Sequence, residues 1–141
     1  PPRKILDFGA GSGGLTAELR SRGYDITGYE PMLDGPFNPE NYDEKFDTVI
    51  GVEVLEHIEE PIAVLSQLEK VVTKKCQFLF VTLLTNPFIS KPDANREFAD
   101  WWYKDDPTHV GFYNSRSIAA MAIRLHYETA VFGNKMFALY R

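Results

Sequence analysis

Ile5-Leu6-Asp7-Phe8-Gly9-Ala10-Gly11-Ser12-Gly13-Gly14 is the stretch whose reading decides the fold of this chain. Its apolar start is a short buried strand, Lys4 to Phe8. Leu15-Thr16-Ala17-Glu18-Leu19 then opens a helix expected from about Gly14 to Arg22. The intervening glycines let the backbone turn sharply and bring its N–H groups against a ligand at the helix N-terminus. Gly9-x-Gly11-x-x-Gly14 also satisfies the dinucleotide fingerprint, so the glycines alone choose no ligand. Asp7, two residues before the first glycine, discriminates better. A carboxylate at this strand end suits a cationic ligand rather than a pyrophosphate.

Outward from this turn, strand and helix patterns alternate, which predicts an α/β fold with a mainly parallel sheet. Gly23 ends the first helix and Asp25 to Glu30 supplies the second strand. The segment from Pro31 to Lys45 carries Gly35, Pro36 and Pro39, so a long helix there is disfavoured and the second crossover is shortened. Phe46 to Val52 reads as the next buried strand. Pro61 suits a first helical turn, and Ile62, Leu65, Leu68, Val71 and Val72 extend an apolar stripe that predicts a helix as far as Val72. Cys76 to Leu84 is nearly continuously apolar, as a central strand covered on both faces would be. After a long aromatic-rich connection, Thr85 to Asn114, a helix capped by Ser115 is expected to reach about Leu125. Tyr127–Gly133 and Lys135–Tyr140 read as an antiparallel hairpin turning at Gly133-Asn134.

Residues 1–141 fit a single domain with ordinary globular composition, 44% hydrophobic and 25% charged. The net charge of −5 and the lack of basic runs argue against nucleic acid as a partner. Cys76 is the single cysteine, which excludes a disulfide framework and a thiolate metal cluster. No apolar run reaches membrane-spanning length and the start has no secretory pattern, so a cytoplasmic location without membrane association is expected.

Three features together resemble the class I S-adenosylmethionine-dependent methyltransferases over essentially the whole chain. They are Asp7-x-Gly9-x-Gly11-x-Gly13 after a strand, Glu30 at the end of the second strand, and Phe46-Asp47-Thr48-Val49-Ile50 followed by Glu53-Val54-Leu55-Glu56-His57. The resemblance implies a Rossmann-like sheet with helices on both faces and an antiparallel C-terminal hairpin. It also implies a cofactor site of Asp7, Gly9, Ala10, Gly11, Ser12, Gly13, Glu30, Pro31, Met32, Gly51, Val52 and Glu53. S-adenosylmethionine carries an ammonium and a sulfonium, which suits Asp7, while Glu30 suits two ribose hydroxyls. Glu30 would serve a dinucleotide's ribose equally well, so NAD is the alternative ligand. A non-catalytic cofactor-binding module is a further alternative. The family often places an acidic adenine contact after a third strand, which this chain lacks; Met32 and either Asn41 or Asp43 are the residues available to replace it.

Glu53, Glu56 and His57 stand at i, i+3 and i+4, so one helical turn would align them. With His109 they resemble the divalent-metal ligands of small-RNA 2′-O-methyltransferases and, in pattern, ubiquinone-biosynthesis O-methyltransferases. This implies a metal-assisted reaction on a diol, catechol or ribose end, with His57, His109 and Tyr113 as catalytic candidates. Without metal, either histidine is suited to general-base work. Phe88, Phe98, Trp101, Trp102, Tyr103, Phe112 and Tyr113 crowd the Thr85–Asn114 connection. A small-molecule acceptor is expected beneath this loop, about half of the aromatics serving only to anchor it. Lys91, Arg96 and Lys104 are expected at the solvated surface.

Overall fold

The computed structural model describes residues 3–141. Its sheet contains β1 (Lys4–Phe8), β2 (Asp25–Tyr29), β3 (Phe46–Val52), β4 (Val72–Val81), β5 (Glu128–Phe132) and β6 (Met136–Tyr140). The spatial order is β2-β1-β3-β4-β6-β5. The first four strands pair in parallel, and β6 enters antiparallel between β4 and β5. The α/β sheet with a terminal hairpin and a shortened second crossover is therefore present as expected.

The helices are α1 (Gly14–Ser21), α2 (Pro31–Asp34), α3 (Pro61–Leu68), α4 (Ala94–Ala99) and α5 (Ser115–Leu125). Asp7 lies opposite Gly28, and Phe8 opposite Tyr29, in the β1–β2 register. Successive strand residues face opposite sides of a sheet. Asp7 and Gly28 meet Thr16 of α1, whereas Phe8 and Tyr29 share a groove with Val64 of α3, so helices cover both faces. Leu6, Val49, Phe78, Phe80 and Phe137 from the central strands form the fully buried core with Leu65, Leu68 and Ile118 from α3 and α5.

Two boundaries differ from the sequence expectation. The stripe ending at Val72 does not remain α-helical: α3 ends at Leu68, a 3-10 turn covers Glu69–Val71, and Val72 pairs with Phe46 as the start of β4. That strand accordingly ends at Val81 rather than Leu84. The cap of α5 is also one residue earlier. Asn114, not Ser115, accepts from the N–H groups of Arg116 and Ser117, and the Ser117 hydroxyl closes the capping box on the Asn114 N–H at 3.0 Å.

Candidate functional site

The C-terminal ends of β1 and β3 border a cleft of about 550 Å³. Asp7, Gly9, Ala10, Gly11 and Ser12 form one wall, Glu30 and Pro31 another, and Val52, Glu53, Val54 and His57 the third. Gly14 and Leu15 of α1 also face it, and nothing in the fingerprint distinguished Leu15 in advance. Three expected cofactor residues do not line the cleft. Gly13, at φ 81, turns the chain into α1. Gly51 is buried against Phe80 and Val54, and Met32 is 89% exposed. Asn41 and Asp43 lie around a separate hollow with Lys4 and Glu44, so neither replaces the missing third-strand contact.

Close packing holds the glycine turn in place. Gly9 has φ 79, and a Cβ there would come within 2.6 Å of Val54 Cγ2. Gly9 and Ala10 both donate to the Tyr29 carbonyl, at 2.8 and 2.9 Å. Asp7 is 2% exposed, and its Oδ2 accepts from Thr16 Oγ1 at 2.6 Å. Thr16 approaches that closely because position 28 is glycine: a Cβ there would meet Thr16 Oγ1 at 2.9 Å. Thr16 and Gly28 thus position the cleft, although an isolated threonine and a mid-strand glycine gave no sequence signal. The Glu30 carboxylate accepts from Gly11 N at 2.8 Å and from Met32 N at 3.2 Å, the second bond capping α2. Each carboxylate oxygen has further acceptor capacity, so Glu30 remains suited to ribose hydroxyls. A cleft with a carboxylate at either side and N–H groups between them fits S-adenosylmethionine.

Beyond Val54 the chain makes a short 3-10 turn, Leu55–His57, rather than an α-helical turn. Glu53 precedes it at φ 51, in the left-handed region. Consequently Glu53, Glu56 and His57 do not share a helical face. Glu56 points inward and is fully buried, while His57 faces outward to the cleft. One oxygen of Glu56 accepts from the Tyr103 hydroxyl, and the other, Oε2, has no hydrogen-bond partner among the described residues. Tyr103 also lies 2.9 Å from Glu53 Oε2 and 3.1 Å from Thr82 Oγ1. Burial, followed by its bond to Glu56, raises the Tyr103 hydroxyl far above its ordinary range. Burial likewise raises the Glu53 carboxyl, with its interaction with Glu56 adding to the effect.

The long connection straps itself across this turn. Val110 N and Gly111 N donate to the Glu56 carbonyl, at 2.8 and 3.0 Å. His57 Nδ1 bonds the Thr108 carbonyl at 3.1 Å, and His109 Nδ1 bonds the Tyr103 carbonyl at 2.6 Å. A carbonyl only accepts, so both Nδ1 atoms carry a proton; Nε2 of His109 lies 3.8 Å from Asp106 Oδ2. The rings lie 4.7 Å apart, and ligand atoms from Glu56, His57 and His109 all fall within 4.8 Å of one another. Glu53 stands outside that group. His57 reaches the cleft, whereas His109 does not line it.

Tyr113 differs from its expected catalytic role. It is buried in the core, and its hydroxyl donates to the Leu55 carbonyl at 3.2 Å. Burial, then the nearby Glu56, pushes that hydroxyl up to about 12. Phe88, Phe98, Trp101, Tyr103 and Phe112 pack ring against ring as an anchoring cluster. Trp102 remains 69% exposed. The hollow beside Phe88, Phe98 and Phe112 shares no lining residue with the cofactor cleft. Lys91 and Arg96 pair with Glu97 and Asp100 at the surface, and Lys104 pairs with Asp105.

The fold is that of the class I S-adenosylmethionine-dependent methyltransferases. A family profile described as a methyltransferase domain matches residues 1–128, and the chain belongs to that family. Among solved structures, the fold is similar to magnesium protoporphyrin IX methyltransferase from Synechocystis, determined with bound S-adenosylhomocysteine. The TM-score is 0.66 at 16% identity, over 100% of this chain and 75% of the other. Plantazolicin methyltransferase BpumL gives 0.67 at 13% identity, over 99% and 77%. A SAM-dependent methyltransferase from Archaeoglobus fulgidus gives 0.67 at 15% identity, over 98% and 85%. A search of curated proteins by sequence gives no match. Among the described residues, no helix is long and apolar enough to cross a membrane.

Proposed function

We propose that this domain transfers a methyl group from S-adenosylmethionine to a hydroxyl oxygen of a small molecule, held at the cleft mouth beside His57. The observation that carries the reading is the pair of carboxylates, Asp7 and Glu30, flanking the glycine turn in one cleft. S-adenosylmethionine supplies an electrophilic methyl group on a cationic sulfur. Asp7 serves the ammonium and Glu30 the ribose. His57 lines the cleft and is held through Nδ1 by the Thr108 carbonyl, which suits its other ring nitrogen to accept a proton from an attacking hydroxyl. Residues 108–111 of the long connection pack on the turn that carries His57. One of the similar folds is named for magnesium protoporphyrin IX, which supports a small-molecule acceptor.

Methyl-labelled S-adenosylmethionine and a panel of phenols, carboxylates and amines test this reading. Label is expected in ethers and is expected to fall at least tenfold in His57→Ala. Label confined to amines, independent of His57, would refute the oxygen assignment.

A second reading is favoured by the buried, unpartnered Oε2 of Glu56 beside the two imidazoles. A divalent cation fits that mixed nitrogen and oxygen donor set, held by Glu56, His57 and His109, and would polarise a diol, catechol or ribose hydroxyl. Glu53 is excluded because its carboxylate is turned to Tyr103. Manganese or zinc ions should then raise the melting temperature of wild type but not of His109→Ala; equal shifts in both would dismiss the cation.

A further inference from the structure

Away from the cofactor cleft, the Thr85–Asn114 connection folds around a hollow of its own, of about 260 Å³. Its walls are the rings of Phe88, Phe98 and Phe112, with Ala94 of α4 beside them. Phe98 meets Phe112 edge to face at 5.3 Å but stands 6.4 Å from Phe88, so the three rings line the space rather than fill it. Ile89 and Asn95 are exposed and mark its open side. Polar groups enter from Thr85 and Asn114. Thr85 is 5% exposed, and its N–H and hydroxyl both donate to the Tyr113 carbonyl. Asn114 commits its amide oxygen to Arg116 N and Ser117 N at the cap of α5. Its Nδ2 makes no hydrogen bond among the described residues, so a donor is left over beside an apolar space.

We propose that this hollow is a second ligand site, for a small uncharged planar ring carrying a carbonyl, and that the bound ring braces the turn carrying His57. A cavity of about 150 Å³ holds a benzene ring, so 260 Å³ admits one or two fused rings. Aromatic walls favour a flat apolar ring. Asn114 Nδ2 only donates, which selects an acceptor on that ring. The neighbouring helix N-terminus does not call for an anion, because the N–H groups of Ser115, Arg116, Ser117 and Ile118 are already bonded to Asn86 and Asn114. Occupancy bears on His57 through the chain itself. Phe112 lies between Gly111, whose N–H donates to the Glu56 carbonyl, and Tyr113, whose hydroxyl donates to the Leu55 carbonyl. Leu55 and Glu56 belong to the 3-10 turn that ends at His57. The hollow shares no lining residue with the cofactor cleft, so binding here does not depend on the methyl-transfer reading.

Titration of the isotope-labelled domain with 1-indanone, followed by nuclear magnetic resonance, tests both halves without turnover. Indanone ring protons should give Overhauser contacts to the Ile89 and Ala94 methyls, and benzoate should bind about tenfold more weakly or worse. Asn114→Asp keeps an oxygen for the α5 cap while replacing the donor with a second acceptor. It should melt like wild type and bind indanone about tenfold more weakly. Ala94→Phe places a ring in the space and should abolish binding. Saturation with indanone should slow amide exchange of Val110 and Gly111 by about threefold or more. Contacts to Leu15 or Val52 of the cofactor cleft, affinity unchanged in either variant, or no saturable shift up to the solubility of indanone would overturn the site. Benzoate binding as tightly as indanone would overturn the uncharged class. Unchanged exchange at saturation would overturn the link to His57.

Discussion

Gly28→Ala should damage both the stability of the domain and its cofactor cleft, although position 28 lies on the second strand and Ala suits a strand backbone better than Gly. The new Cβ would sit 2.9 Å from Thr16 Oγ1 and 3.3 Å from Ala10 Cβ. Relief requires Thr16 to move, and Thr16 Oγ1 is the donor 2.6 Å from the buried Asp7 carboxylate. Losing a hydrogen bond to a buried carboxylate costs about 1.5–3 kcal/mol, and overpacking costs about 1–3 kcal/mol. Together these amount to roughly 2.5–6 kcal/mol, or a melting temperature lower by about 10–20 °C for a domain of this size. Chemical denaturation of wild type, Gly28→Ala, Thr16→Ala and the double variant forms a cycle. Thr16→Ala alone should cost about 1.5–3 kcal/mol. Adding Gly28→Ala to it should cost less than about 0.5 kcal/mol, because the crowded atom has already gone. Equal costs for Gly28→Ala in both backgrounds would refute the coupling through Thr16 and Asp7.

Other substitutions separate cofactor contacts from structural ones. Glu30→Gln should weaken S-adenosylhomocysteine binding about 10- to 100-fold by calorimetry, since it removes the charge that strengthens bonds from ribose hydroxyls. Tyr113→Phe should cost about 1 kcal/mol in urea unfolding and leave that affinity unchanged, because the hydroxyl serves the Leu55 carbonyl in the core. Tyr103→Phe should be more destabilising, about 2–4 kcal/mol by the same assay, because Glu56 then has neither carboxyl oxygen partnered in a fully buried position.

Fold class and cofactor cleft were largely legible because their signals are local. Phe46–Val52 and Ser115–Leu125 fall where the apolar patterns place them. Asp7, Gly9 and Glu30 lie together because one turn and the neighbouring strand bring them there. The end of α3 was hidden, since Val71 and Val72 are buried whether helical or extended and an apolar stripe reports burial rather than backbone. Spacing likewise placed Glu53, Glu56 and His57 on one face only if the turn were α-helical; the positive φ of Glu53 and the 3-10 turn separate them. Tyr113 and the aromatic hollow depend on contacts between distant segments, which no short pattern encodes.

Calorimetric titration of the purified domain with S-adenosylmethionine and, separately, with NAD tests the cofactor assignment most directly. One-to-one binding of S-adenosylmethionine, lost in Asp7→Ala and without measurable NAD binding, is the expected result. Preferential binding of NAD, or S-adenosylmethionine affinity unchanged in Asp7→Ala, would contradict it.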